Sequence, residues 1–298
     1  MNDIDNALSC LDEIDEKKHD FFIAEDITNR VFLDNCLSVM SKIPDKTVDL
    51  CISDPPWGVD YNAFREKFQD EEIINDKLEE YKKLMEDFPY ELRRILKDDA
   101  AVYLFCGATT PVTRDGKEIH WGPYDVLKRF FRAGYKPRRI IVWDKVTPGR
   151  GYRYRFRLEF VLYFTKREQS RFYGEGEFGD EMILLAEQAE VIRYQKVHGG
   201  NKVHPAEKPI RLYESFIEDS TRAGELVIDP FAGSGPLIEA CINTNRRYLA
   251  IEQNEKYRKA LEDRSRQGSL FDMSNQKEPV QLEVDDDDGI DEDDPLDF

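Results

Sequence analysis

Apolar residues along this chain follow two rhythms. Short runs of four to eight residues, partly β-branched, read as buried strands. These are Val31 to Asp34, Thr47 to Ser53, Ala101 to Phe105, Arg139 to Trp143, Leu158 to Thr165, Glu225 to Asp229 and Tyr248 to Glu252. Longer stretches with apolar positions three and four apart read as amphipathic helices. Cys36 to Ile43, Asp76 to Leu96, Tyr124 to Phe131 and the segments following Pro209 and Pro236 are of this kind. In Asp76 to Leu96 the residues Leu78, Tyr81, Leu84, Met85, Leu92 and Ile95 share a face. An interruption is expected near Pro89, because proline lacks the N–H that a helix interior needs. Strands alternating with helices predict an α/β fold around a mostly parallel sheet.

Two strand ends carry the chemistry. The run Thr47 to Ser53 stops at Asp54-Pro55-Pro56-Trp57, where two prolines end any ladder at once. A carboxylate, a stiff turn and an aromatic plate are thereby held at the carboxyl end of a strand, the edge where open α/β sheets bind ligands. A planar base with an exocyclic amine suits them. Trp57 can stack on its face, Asp54 can accept an N–H and take its proton, and the Pro55 carbonyl can accept the second N–H. A tight turn with a capping aspartate explains the same four residues.

The second strand end is Asp229-Pro230-Phe231-Ala232-Gly233-Ser234-Gly235. A helix opening at Pro236 is tolerated because the first helical N–H groups lack partners. Gly233 and Gly235 allow close approach of a ligand, and the helix amino end favours a negative group. The next strand ends in Glu252, 17 residues past Gly235, near the spacing at which an acid meets ribose hydroxyls. The pattern lacks the GxGxxG spacing of a dinucleotide site.

With these blocks in order, the chain resembles the DNA N4-cytosine/N6-adenine amino-methyltransferases, in the group whose catalytic motif precedes the S-adenosylmethionine (SAM) motif. The resemblance spans roughly residues 30–264. It rests on Phe32 to Cys36, Asp54 to Trp57, Trp143-Asp144-Lys145, Glu159 to Lys166, His204 to Pro209, and Asp229 to Gly235 followed by Glu252. Two positions depart from it: Pro236 replaces the usual threonine and Leu33 the usual glycine, both of which bear on SAM affinity. The resemblance implies a Rossmann-like methyltransferase sheet, with Leu158 to Thr165 in an antiparallel edge hairpin. It implies a catalytic unit of Asp54, Pro55, Pro56 and Trp57, and SAM contacts from Asp34, Lys208, Asp229, Phe231, Gly233, Ser234, Gly235 and Glu252. Asp34 also reads as a helix cap, and Lys208 as a solvated lysine at a helix start. Adenine N6 is the implied target, because the motif opens with Asp where cytosine-specific relatives usually show Ser. N4-cytosine methylation of DNA, RNA adenine methylation and a non-catalytic adaptor that binds nucleic acid or the clamp are the alternatives.

Charge divides the chain. The net charge is −18 over 298 residues. Residues 1–20 hold seven acids and two bases, and residues 267–298 hold twelve acids and one base. They read as an acidic arm and a disordered acidic tail around a methyltransferase domain at 21–266. Within that domain, residues 136–171 hold eleven bases against three acids. That excess is either a phosphate footprint or a solvated hairpin face. Alternation places Arg153, Arg155 and Arg157 on one strand face, with Arg150 before them. Residues 168–203 fall where the resemblance implies target recognition. So short a region suggests a short DNA site, relaxed specificity or help from a second copy in a homodimer. Gln267, Leu270 and Phe271 resemble the peptide by which bacterial DNA-processing proteins bind the sliding clamp, or else staple onto the last helix. Five scattered cysteines and four histidines lack metal-ligand spacing, so no metal is expected. No apolar run reaches the ~18 residues that cross a bilayer, and a cytoplasmic location is expected.

Overall fold

A computed structural model of the chain describes residues 22, 27–57, 78–107, 113–114, 117–118, 122–147, 157–168, 191–196 and 207–274, with side chains described as far as 266. The strands are β1 (Arg30–Leu33), β2 (Val48–Ser53), β3 (Leu96–Gly107), β4 (Thr113–Arg114), β5 (Lys117–Glu118), β6 (Lys136–Asp144), β7 (Leu158–Thr165), β8 (Val191–Arg193), β9 (Leu226–Asp229) and β10 (Arg247–Glu252). The helices are α1 (Cys36–Met40), α2 (Leu78–Ile95), α3 (Pro123–Arg132), α4 (Ile210–Ser220), α5 (Pro236–Asn243) and α6 (Arg258–Ser274). Among the described residues, eight strands form one sheet in the order β1-β10-β9-β2-β3-β7-β6-β8. β7 runs antiparallel to both of its neighbours, and every other pairing is parallel. This is the expected α/β methyltransferase sheet. The β6–β7 hairpin forms, but β8 lies outside it, so β7 is an internal strand and not the edge.

Side-chain alternation builds a core on each face of the sheet. Val102, Leu104, Leu162, Phe164, Ile228 and Ile251 face Met85, Phe88, Leu92 and Phe130 of α2 and α3. Their neighbours Leu50, Ile52, Tyr103, Phe105, Val161 and Val227 face Phe216, Leu237 and Leu261 of α4, α5 and α6. Period-two alternation with both faces covered is what a doubly wound sheet requires.

Three boundaries differ from expectation. α2 runs unbroken through Pro89. The ring is buried, and Phe88 beside it packs edge-on against Phe130 and Phe231, at centroid distances of 6.3 and 5.2 Å. Packing on both sides outweighs the ~3 kcal/mol that an interior proline costs. β3 begins at Leu96, because the β2 pairing register shifts between Val48 and Leu50 and so takes up Lys97 to Ala100. Finally, the backbone of α6 remains helical to Ser274, so the expected disordered tail does not begin at 267.

Candidate active site

The chain leaves β2 towards β3 on one side of the sheet and β9 towards β10 on the other. β2 and β9 are themselves neighbours. The carboxyl ends of this pair are therefore the topological switch point, where α/β sheets open a crevice. Both motifs emerge there, Asp54 to Trp57 from β2 and Asp229 to Gly235 from β9. A buried hydrogen bond joins them: Ser53 Oγ donates to Asp229 Oδ1 at 2.6 Å.

Asp54 is gripped from two sides. The Trp57 indole N–H donates to its Oδ1 at 3.0 Å, and Lys208 Nζ donates to its Oδ2 at 2.5 Å. Lys208 is buried, not solvated, and Nζ also lies 3.4 Å from Glu159 Oε2. Lys145 Nζ donates to the other Glu159 oxygen at 2.9 Å. Lys145, Glu159, Lys208 and Asp54 thus form a chain of alternating charge. The Trp57 and Phe105 ring centroids stand 5.4 and 5.2 Å from Lys208 Nζ, within cation–π range. Burial pushes the Asp54 carboxyl up; Lys208 pulls it down and Glu159 pushes it up again, and the net shift is upward. Burial also works against ionised Glu159, but Lys208 and Lys145 outweigh it and hold that carboxyl below its ordinary range. Lys208 is held above the ordinary lysine value, because Asp54 and Glu159 overcome the cost of its burial. Lys208, expected near the methionine end of SAM, is thereby tied to the Asp54 and Glu159 carboxylates at the same strand ends. Sequence reasoning did not single out Glu159 or Lys145, since their contacts cross the sheet.

The β9 side has the groups of a nucleoside and amino-acid site. Glu252 accepts the Gly233 N–H at 2.7 Å and the Asn254 N–H at 2.6 Å, with the Gln253 N–H a further backbone donor. Burial pushes its carboxyl up, against those donors. Asp229, almost fully buried, is pushed by burial to about 7, although Ser53 and the Phe231 N–H both donate to it. Gly233 has a φ of 53°, and the Ser234 hydroxyl beside it is buried with no hydrogen-bond partner among the described residues. A buried hydroxyl left unpaired in a glycine turn fits a ligand that brings hydrogen-bonding groups of its own. Asp34 stands exposed just past β1, whose last residue pairs with Glu252. The cap of α1 is Asn35, which accepts from Leu37 N and Ser38 N, so the cap role is not Asp34's. Gly235 also carries a packing constraint that its sequence context did not show. A Cβ there would sit 2.8 Å from Leu261 Cδ2 and 3.0 Å from Ile238 Cδ1, so this glycine serves the packing of α5 and α6.

The family model for N6/N4 DNA methylases matches residues 48–263, from β2 through most of this site. The chain belongs to that family. The Type II methyltransferase M.HpaI of Haemophilus parainfluenzae is 27% identical over 255 residues, 79% of this chain and 73% of that one. The Type II methyltransferase M2.MboI of Moraxella bovis is 23% identical over 251 residues, 80% of this chain and 87% of that one. Among solved structures, the PvuII DNA methyltransferase (cytosine-N4-specific) superposes with a TM-score of 0.62 at 19% identity, over 80% of this chain and 89% of that one. M1.HpyAVI, solved as a SAM complex, gives 0.56 at 18% identity, over 79% and 98%. These structural likenesses establish the fold.

The remaining expected residues of this methylase divide sharply. Arg157 is committed within the chain, its guanidinium bonding both oxygens of Asp144 at 2.5 Å. That pair clasps the neck of the β6–β7 hairpin and holds the Asp144 carboxyl down at about 2, so Arg157 has a structural partner that alternation did not suggest. Arg150, Arg153 and Arg155 lie outside the described residues, as do the arm at 1–20, residues 275–298 and most of 168–203. Gln267, Leu270 and Phe271 fall on the helical backbone of α6. Among the described residues no acid, histidine or cysteine group has metal-site geometry, and no helix is long and apolar enough to cross a membrane.

Proposed function

We propose that this methylase transfers the methyl group of SAM to the exocyclic N6 of adenine in DNA. The observation that carries the reading is Asp54, a carboxylate at the end of β2 with one donor fixed on each oxygen. The lone pairs left over can accept an amine N–H, and the Pro55 carbonyl can accept the second. An aryl amine is a weak nucleophile because its lone pair is delocalised into the ring. Two acceptors out of the ring plane localise that pair, and Asp54 takes the departing proton. SAM supplies an electrophilic methyl group on a sulfonium. Asp34, Asp229, Phe231, Gly233, Ser234 and Glu252 would hold it, and the unpaired Ser234 hydroxyl supports that assignment. The opening Asp of the motif supports adenine over cytosine. A base in duplex DNA must leave the stack to reach this edge, at a cost of a few kcal/mol. Arg150, Arg153 and Arg155 are assigned to phosphates, and residues 168–203 to recognition of a short site, alone or with a second copy. Gln267, Leu270 and Phe271 are assigned to a sliding clamp, testable by titrating that clamp with the full chain and a Leu270→Ala, Phe271→Ala variant.

The deciding experiment is transfer of labelled methyl from SAM to unmethylated plasmid DNA, digested to nucleosides and resolved by mass. N6-methyladenine is the expected product. N4-methylcytosine would replace the base assignment and keep the role of Asp54. Label in RNA alone, or in neither nucleic acid, would overturn the reading in favour of an RNA enzyme or an adaptor.

A further inference from the structure

Glu159 has no part in the chemistry above, yet it is ordered into the same cluster. Its side chain is 14% exposed and that of Lys208 is 4% exposed, in the middle of the sheet edge. Resting on the function proposed above, we infer that Glu159 is a positioning residue for methyl transfer: through Lys208 it fixes the place and the charge of Asp54.

A buried ammonium must lean on whatever acceptors surround it. The Trp57 and Phe105 ring centroids stand 5.4 and 5.2 Å from Lys208 Nζ. Its charge is divided between Asp54 Oδ2 at 2.5 Å and Glu159 Oε2 at 3.4 Å. Were Asp54 its sole partner, the pair would tighten, and Asp54 would become a weaker base and a poorer acceptor. Were Lys208 absent, Asp54 would stand buried beside another carboxylate and would hold a proton. Glu159 therefore keeps Asp54 between these extremes by sharing the Lys208 ammonium with it. Lys145 completes the balance by pairing with the outer Glu159 oxygen at 2.9 Å, so that two bases face two acids.

Other titratable groups face Asp54 from neighbouring elements. Cys106 of β3 is pushed up by burial to about 12, and Tyr213 of α4 is also pushed up by burial; both are neutral at ordinary pH. Asp229 of β9 is pushed to about 7 by burial and is tied to Ser53. None of these three is an ion-pair partner of Lys208 in the cluster, so Glu159 is the group whose removal redistributes the Lys208 charge.

The test uses the full chain labelled with aspartate carrying 13C in its side-chain carboxyl. The Asp54 signal is identified by its loss in Asp54→Asn. Glu159→Gln should lower the Asp54 titration midpoint by about one pH unit, and Lys208→Met should raise it by about one unit or more. Lys145→Met should raise it by less. The acid limb of single-turnover methyl transfer to plasmid DNA should move with each midpoint. An unmoved midpoint in Glu159→Gln, or an acid limb that ignores the midpoint, would overturn the inference. Should Glu159→Gln fail to fold by circular dichroism, Lys145→Met decides alone, an upward midpoint supporting the inference and an unchanged one overturning it. A wild-type chain that methylates no base would remove the proposed reaction, while the midpoints would still judge whether Glu159 governs Asp54.

Discussion

Trp57 has two capacities that one substitution can separate. Its ring can stack on a base, and its indole N–H holds Asp54 Oδ1 at 3.0 Å. Trp57→Phe keeps an aromatic plate and removes the donor. A hydrogen bond to a charged group is worth about 1.5–3 kcal/mol, so kcat should fall roughly ten- to a hundredfold while KM for DNA changes little. Steady-state kinetics on plasmid DNA checks this. A rise in KM at constant kcat would instead make stacking the whole contribution of Trp57. Asp54, Trp57, Gly233 and Glu252 could be picked out in the sequence because each lies at or shortly past the carboxyl end of a strand, and a strand end fixes where its next residues emerge. The charge chain was not legible. Glu159 sits in the apolar run Leu158 to Thr165, and only the pairing of β3 with β7 opposes it to Gly107 near Asp54. Lys208 was expected at the cofactor, but its pairing with Asp54 and Glu159 was not, because Asp54, Glu159, Phe105 and Trp57 are all distant from it along the chain.

At the scale of elements, the β2–β9 pair and the α5–α6 contact hold the site together. Gly235 adopts a φ of 80°, and an added Cβ would press on Leu261 and Ile238, both fully buried. Gly235→Ala should cost about 1–2 kcal/mol from backbone conformation alone. Thermal unfolding should then show a Tm lower by a few degrees for a domain of this size. An unchanged Tm would show that the α5–α6 packing does not need a glycine here. Asp229 makes a pH-dependent contribution. Burial raises its folded carboxyl to about 7, against about 3.9 in an unfolded chain. Between those values the folded state holds a proton that the unfolded state has lost. The stability from this group is complete below pH ~4 and fades as pH rises through ~7. Asp229→Asn cannot ionise, and its amide oxygen can still accept from Ser53 and Phe231 N. Urea melts from pH 4 to 8 should therefore show a flatter decline in the variant, and parallel curves would refute the assignment. The central strands and the helices were read from periodicity because β2 and β9 are buried along their whole length and the helices are amphipathic, whereas the short strands β4, β5 and β8 left no such pattern. Pro89 misled because local propensity ignores the packing of Phe88 that overrides it.

At the scale of the whole molecule, a DNA methylase with a net charge of −18 must approach a polyanion. The charge is partitioned: residues 275–298 hold eleven acids and one lysine, whereas 136–171 carry the basic excess. An acidic segment tethered to the catalytic body repels DNA phosphates that are within a Debye length, about 8 Å at physiological ionic strength. Its composition offers phosphates no cation beyond Lys277, so it should lower affinity without altering the number of counterions that the body releases. Truncation after Ser274 should raise affinity for non-cognate DNA several-fold at low salt, and the gain should shrink as salt rises. The site-specific rate at saturating DNA should stay the same, because no residue of the Asp54 cluster is removed. Fluorescence anisotropy with a labelled duplex across a salt series measures the first effect, and single-turnover methylation the second. An equal gain at every salt concentration would point to steric blockage of the DNA path by the tail, and a loss of affinity would show that residues 275–298 help to hold DNA.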